Sequence, residues 1–163
     1  MENLEDYLNP QRVLIYNNNN KEEILRLLVK TFIHTHVFND ETILLNSILE
    51  REKIISTGIG IGFAVPHTRI EGVKKPALSI AKCDPPLEYT SIDNQPVHTI
   101  VMFVMPPGSH KKYLRILSYV VIVIKSDNFN MQIPLCHTCQ EIYDLFKYSF
   151  RAIREKQADK NFK

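Results

Sequence analysis

Apolar and polar positions along the chain repeat with the period of a strand in some stretches and of a helix in others, and the changes of period mark the elements. Residues 12–16, RVLIY, form a short apolar run of strand type, and the turn-prone asparagines Asn17 to Asn20 end it. From Lys21 to about Thr35, Ile24, Leu27, Leu28, Thr31 and Phe32 share one helical face. Glu22 and Glu23 suit the positive end of that helix. A second helix is expected to start at an Asn39 or Asp40 cap. It should bury Ile43, Leu44 and Ile48, with Leu45 at the margin of that face, and carry Arg51 near its C-terminal end.

Phe63 to Val65 then reads as a brief strand halted by Pro66, and Ala77 to Lys82 and Thr99 to Met105 read as further strands. Ser109 to Lys125 is helical by periodicity, with Ser109 as its cap and Leu114, Leu117, Val121 and Ile124 on the buried side. Thr138 and Glu141 have capping-box spacing before a last helix that buries Ile142, Leu145, Phe146 and Phe150. From Arg151 onward the sequence turns to charge. Helices alternating with short strands predict an α/β fold, a single layered domain with a mixed β-sheet flanked by helices. The domain is expected over residues 1–155, with a charged tail at 156–163.

Composition narrows the function classes. The chain has 163 residues, the usual size of one domain, and 44% of them are hydrophobic. Lys and Arg total 20 against 18 Asp and Glu, so no net field calls for nucleic acid as partner. No apolar stretch is long enough to insert into a membrane, and the N-terminus lacks the pattern of a signal peptide, so a cytoplasmic protein is expected. The 3 cysteines are expected to be reduced thiols.

Candidate chemistry concentrates in Arg51 to Arg69, REKIISTGIGIGFAVPHTR. Three of the 5 glycines, Gly58, Gly60 and Gly62, fall here and read as a ligand loop. Their spacing fits neither the dinucleotide fingerprint nor the phosphate loop of nucleotide hydrolases. His67 sits between Pro66 and Thr68, and a neutral imidazole is nucleophilic near neutral pH and a good phosphoryl donor once phosphorylated. Amides of the three glycines, hydroxyls of Ser56, Thr57 and Thr68, and the guanidinium groups of Arg51 and Arg69 are candidate phosphate stabilisers. Such an inventory supports phosphoryl transfer without metal or cofactor. The bland reading is an ordinary loop packed on the sheet.

The same stretch resembles the phosphorylation-site motif of the fructose/mannitol class of enzyme IIA domains of bacterial phosphotransferase systems. The resemblance continues through SIDNQPVHTIVMFVMPP, residues 91–107, and KKYLRILSYV, residues 111–120. The IDNQPV segment and the single-domain construction are most similar to the nitrogen-regulatory branch. The resemblance implies the mixed sheet of that family, a phosphoryl group accepted on His67 in an accessible cleft from an HPr-like phosphocarrier, and charge stabilisation by Arg51. It also exposes a departure. Where family members carry a second active-site histidine, this chain has Tyr113, and His110 lies one helical turn earlier as a candidate substitute.

Other residues admit simpler roles. Asp93 and Asn94 read as a turn, His34 and His36 as the end of a helix, and His98 as structural. Lys111, Lys112 and Arg115 read as a solvated helix face. Cys136 and Cys139 have redox or half-zinc spacing but lack a second ligand pair, and no metal is expected. Four functions therefore stand: a phosphocarrier regulating a target protein, a sugar-specific enzyme IIA feeding an enzyme IIB, a transfer-inactive binding module, and a small zinc or redox protein.

Overall fold

The strand Val97–Met105 is buried along nearly its whole length, and the other elements are arranged around it. The computed structural model describes residues 3–108 and 110–160. In chain order the elements are β1 (Leu8–Tyr16), α1 (Lys21–His34), α2 (Glu41–Ile54), β2 (Gly58–Gly60), β3 (Phe63–Ala64), β4 (His67–Arg69), β5 (Ala77–Leu87), β6 (Val97–Met105), α3 (His110–Lys125), α4 (Asp127–Gln132) and α5 (Cys139–Lys160). Single 3-10 turns precede β1 and follow α4.

The sheet is mixed. Its order is β1-β5-β6-β3-β2; β1 runs parallel to β5, β5 antiparallel to β6, β3 parallel to β6, and β2 antiparallel to β3. Strands β3 and β4 lie end to end along one side of β6: Phe63 and Ala64 pair with Thr99 and Ile100, and His67 to Arg69 pair with Phe103 to Met105. Val65 and Pro66 make the break between them, because Pro66 has no N–H to give and offers only its carbonyl, which accepts from Phe103 N at 3.0 Å.

Alternation along β6 divides the interior in two. Val101, Phe103 and Met105 point into a core closed by α3, α4 and α5, with Ile116, Val120, Phe129, Phe146 and Phe150 at no more than 0% exposure. Ile100, Met102 and Val104 point into a second core closed by α1 and α2 through Ile24, Leu28, Phe32, Leu44 and Ile48. A strand covered on both faces has to read as a continuous apolar run, and β6 does.

Most helix starts follow their signals. Asn20 accepts from Glu23 N at 2.9 Å, Asp40 from Ile43 N at 3.0 Å, and Thr138 and Glu141 form a reciprocal capping box at 3.1 and 3.2 Å. Ser109, the expected cap of α3, lies outside the described residues. Three expectations are corrected. Ile43 is 53% exposed and Leu114 48% exposed, while α3 buries the expected Ile124 together with Ile116, Val120 and Val123. The chain does not fray at Arg151, since α5 continues to Lys160, into the expected tail, and Arg151 grips Glu5 at 2.7 and 2.8 Å. Among the described residues no helix is long and apolar enough to cross a membrane.

Candidate functional site

His67 opens β4 directly after the Val65–Pro66 break, which places its ring over the α3 side of the sheet, parallel to Phe103 with centroids 5.0 Å apart. Both ring nitrogens have partners. Nδ1 lies 2.7 Å from the carbonyl oxygen of Val65, and Nε2 lies 2.6 Å from the hydroxyl of Tyr113. A carbonyl oxygen only accepts, so Nδ1 carries the proton; Nε2 then holds the lone pair and accepts from Tyr113. Backbone geometry thus fixes which nitrogen is nucleophilic.

Charges of both signs act on the ring. Burial pushes the imidazole below its ordinary 6.5; the Val65 carbonyl and Glu52 oppose this, and Arg51 and Arg69 add to it. Arg69 stacks its guanidinium 4.8 Å from the Tyr113 centroid, and the His110 ring lies 5.8 Å from the same ring. Arg51, at the end of α2, donates to the carbonyl of Ile55 at 3.3 Å. The arrangement is an imidazole under a tyrosine, with the charges of Arg51 and Arg69 acting on it.

The depressed value has a consequence for stability. Below about pH 6.5 the unfolded chain protonates His67 while the folded chain resists, so the contribution to stability is full above that pH and is lost as pH falls. His98, also held low mainly by burial, acts in the same direction. Melting temperature should fall between about pH 7.5 and about pH 5.5, and His67→Gln should reduce the slope. An unchanged slope in that variant would contradict the assignment of the neutral form.

Comparison with known proteins places the fold and site in context. The family described as "Phosphoenolpyruvate-dependent sugar phosphotransferase system, EIIA 2" matches residues 6–149. The chain belongs to this family. It is 23% identical over 143 residues to a nitrogen regulatory protein of Pseudomonas aeruginosa, covering 87% of this chain and 93% of that one. It is 28% identical over 125 residues to the fructose-specific EIIABC component of Bacillus subtilis, covering 77% of this chain but only 20% of that much longer protein. In fold it is similar to the nitrogen regulatory protein IIA-Ntr of Neisseria meningitidis, with a TM-score of 0.81 at 19% identity over 88% of this chain and 98% of the other.

Within this enzyme IIA domain the residues singled out from sequence separate into two groups. His67, Tyr113, Arg69, Arg51 and His110 converge as described. The glycines and hydroxyls do not join them. Gly60 and Gly62, both at positive φ, pack against Asp93 in the turn before β6 and His98 at its start, and along the strand His98 is roughly 16 Å from Phe103, the partner of His67. Gly58 is a paired strand residue against Ala64. Thr68 points to the opposite face of the sheet, where its hydroxyl meets Ser47 at 2.5 Å, because neighbouring residues of a strand alternate sides. Thr57 gives its hydroxyl to Glu52 at 2.6 Å, and Ser56 gives its own to the Thr90 carbonyl at 2.5 Å.

His67 itself is 6% exposed, so the expected open cleft is closed, with Tyr113 as its cover. Asp93 behaves as a turn former, accepting from Ile61 N at 2.8 Å and Gln95 N at 3.1 Å beside Asn94 at φ 56°. Cys136 is buried and Cys139 half-buried, both free thiols, and among the described residues no cluster of His, Cys, Asp and Glu is fit to hold a metal. Sequence reading missed Glu52, whose partners Lys21, Thr57 and Tyr89 come from separate parts of the chain.

Proposed function

We propose that this domain is a phosphohistidine carrier that receives phosphate on Nε2 of His67 from an HPr-like phosphocarrier and acts chiefly as a regulator of a target protein. The observation that carries the reading is the bond from His67 Nδ1 to Val65, which leaves Nε2 as the basic nitrogen. The Nε2 lone pair attacks the donor's phosphorus, the donor's N–P bond breaks, and its electron pair returns to the donor ring. With Nδ1 still protonated on Val65, the phosphorylated ring carries positive charge and stays a good leaving group for the next transfer. Arg51 and Arg69 offset the phosphoryl charge, and no metal is needed. Negative charge added at this closed site changes which protein surface the domain can meet.

Tyr113 has to leave Nε2 before the attack and can then donate to a phosphoryl oxygen. Replacing it by the shorter histidine uncovers Nε2 while keeping a donor, so Tyr113→His should raise the rate of phosphate uptake in stopped-flow or quench assays. A lower rate would show that the tyrosine itself is required. The assay that tests the reading as a whole is phosphate incorporation from phosphoenolpyruvate through enzyme I and HPr or its nitrogen-branch counterpart.

A second reading, a sugar-specific enzyme IIA passing phosphate to an enzyme IIB, is supported by the likeness to the fructose-specific relative. Rapid onward transfer to an enzyme IIB would favour it. The third, a transfer-inactive binding module, draws on the cover that Tyr113 makes over His67 and predicts no label from any donor.

A further inference from the structure

Glu52 ends up almost fully buried, its side chain 7% exposed, although nothing in its own helix requires a charge there. Donors converge on its carboxylate. Oε1 accepts from Thr57 N at 3.1 Å and Oε2 from Thr57 Oγ1 at 2.6 Å; the Tyr89 hydroxyl stands beside them, 3.1 Å from Thr57 Oγ1, and Lys21 lies 3.6 Å away. Burial alone would raise this carboxyl, but the bonds from Thr57 and Tyr89 and the charge of Lys21 outweigh it and hold the group below its usual 4.5. It is a fixed anion at physiological pH.

Its grip on Thr57 leads straight to His67. Glu52 holds both the N–H and the hydroxyl of Thr57 and so fixes the residue's position, and the Thr57 carbonyl, in the next peptide unit, accepts from Val65 N at 2.9 Å. Val65 is thereby held from one side and followed by Pro66, whose ring fixes the chain direction. The Val65 carbonyl is then the acceptor 2.7 Å from His67 Nδ1.

We infer that Glu52 is a positioning residue for His67, clamping Thr57 so that the Thr57–Val65–His67 hydrogen bonds keep the imidazole in its Nδ1–H form with Nε2 unprotonated. The effect on transfer rests on His67 being the phosphoryl acceptor; the tautomer is a property of the unphosphorylated protein and does not. A glutamine at 52 turns an NH2 group toward donors that need an acceptor, which frees Thr57, lets the Val65 carbonyl drift and admits the Nε2–H form. Nε2 is then no nucleophile.

The test is the nitrogen-15 spectrum of the histidine rings in the unphosphorylated full chain, for wild type, Glu52→Gln and Thr57→Val, above pH 6.5 where His67 is neutral. Wild type should show a protonated Nδ1 and an unprotonated Nε2 on His67. Glu52→Gln should move both resonances toward the average of the two forms, leave His98 unchanged, and slow phosphate uptake roughly tenfold to a hundredfold. Thr57→Val, which cuts only the hydroxyl link, should shift His67 in the same direction and serves alone if Glu52→Gln does not fold. A His67 spectrum unchanged in a folded variant overturns the inference. A shifted spectrum in a domain whose wild type takes up no phosphate upholds the positioning role and defeats the carrier reading.

Discussion

Substituting His67 by alanine is expected to abolish acid-labile phosphorylation of the domain outright, with no secondary site taking the label. The reason is chemical: His67 is the ring held between Val65 and Tyr113 with one nitrogen left basic and with Arg51 and Arg69 acting on it. The neighbouring His110 meets the Tyr113 ring at 5.8 Å, and among the described residues no bond to a backbone carbonyl like that of Val65 sets its tautomer. The substitution also removes a buried ring stacked on Phe103, so a loss of stability of roughly 2–4 kcal/mol accompanies it. His67→Gln, which refills most of the space, should be equally unlabelled and less destabilised. Label retained in either folded variant, read by intact mass before and after acid treatment, would remove His67 from the mechanism.

Gly58→Ala should be among the most destabilising single changes in the domain while leaving His67 able to take phosphate. A methyl group there would stand 2.4 Å from the Thr90 carbonyl oxygen and 2.9 Å from the Ser91 Cα, both backbone atoms that cannot swing aside. Overpacking of this kind costs roughly 3 kcal/mol, and for a domain of this size that corresponds to a melting temperature lower by about 6–12 °C. A glycine serving as a phosphate cradle would behave oppositely, with stability retained and uptake lost. Thermal unfolding followed by labelling of the folded fraction separates the two.

That glycine shows where the sequence misleads. Close backbone approach was legible from Gly58, Gly60 and Gly62, but the approaching group was not: it is Thr90, Asp93 and His98 of this same chain rather than a ligand. The partner segment lies some thirty residues on, as in the bond from Ile61 N to Asp93, separated by 32 positions, and local pattern carries no trace of it. Strand β4 was invisible for a related reason. Three residues after a proline have no periodicity of their own, and only pairing with Phe103 to Met105 makes them a strand.

Helix faces were legible where polar residues bound them on both sides. In α1 the expected Ile24, Leu28, Thr31 and Phe32 are buried and Leu27 is partly buried at the edge of the same face. In α3 the run from Leu114 to Ile124 is apolar nearly all round, so of the expected Leu114, Leu117, Val121 and Ile124 only Ile124 is fully buried, and packing selects Ile116, Val120 and Val123 beside it. Capping signals fared better, being local by nature: Asn20, Asp40 and the Thr138–Glu141 box read directly from the sequence. At the site, His67 and Arg51 were found through their motif, whereas the closure by Tyr113 and the role of Glu52 needed the third dimension. Tyr113 lies 46 positions from His67, and Glu52 acts through Thr57 and Val65.

The measurement that tests the account most directly is the position of the phosphate on the histidine ring. Phosphorylate the nitrogen-15 labelled domain with phosphoenolpyruvate, enzyme I and HPr or its nitrogen-branch counterpart, and read the phosphorus–nitrogen coupling by NMR. The account predicts a phosphate on Nε2 of His67, with Nδ1 still protonated toward Val65. Phosphate on Nδ1, phosphate on another residue, or no phosphate from any donor would contradict it.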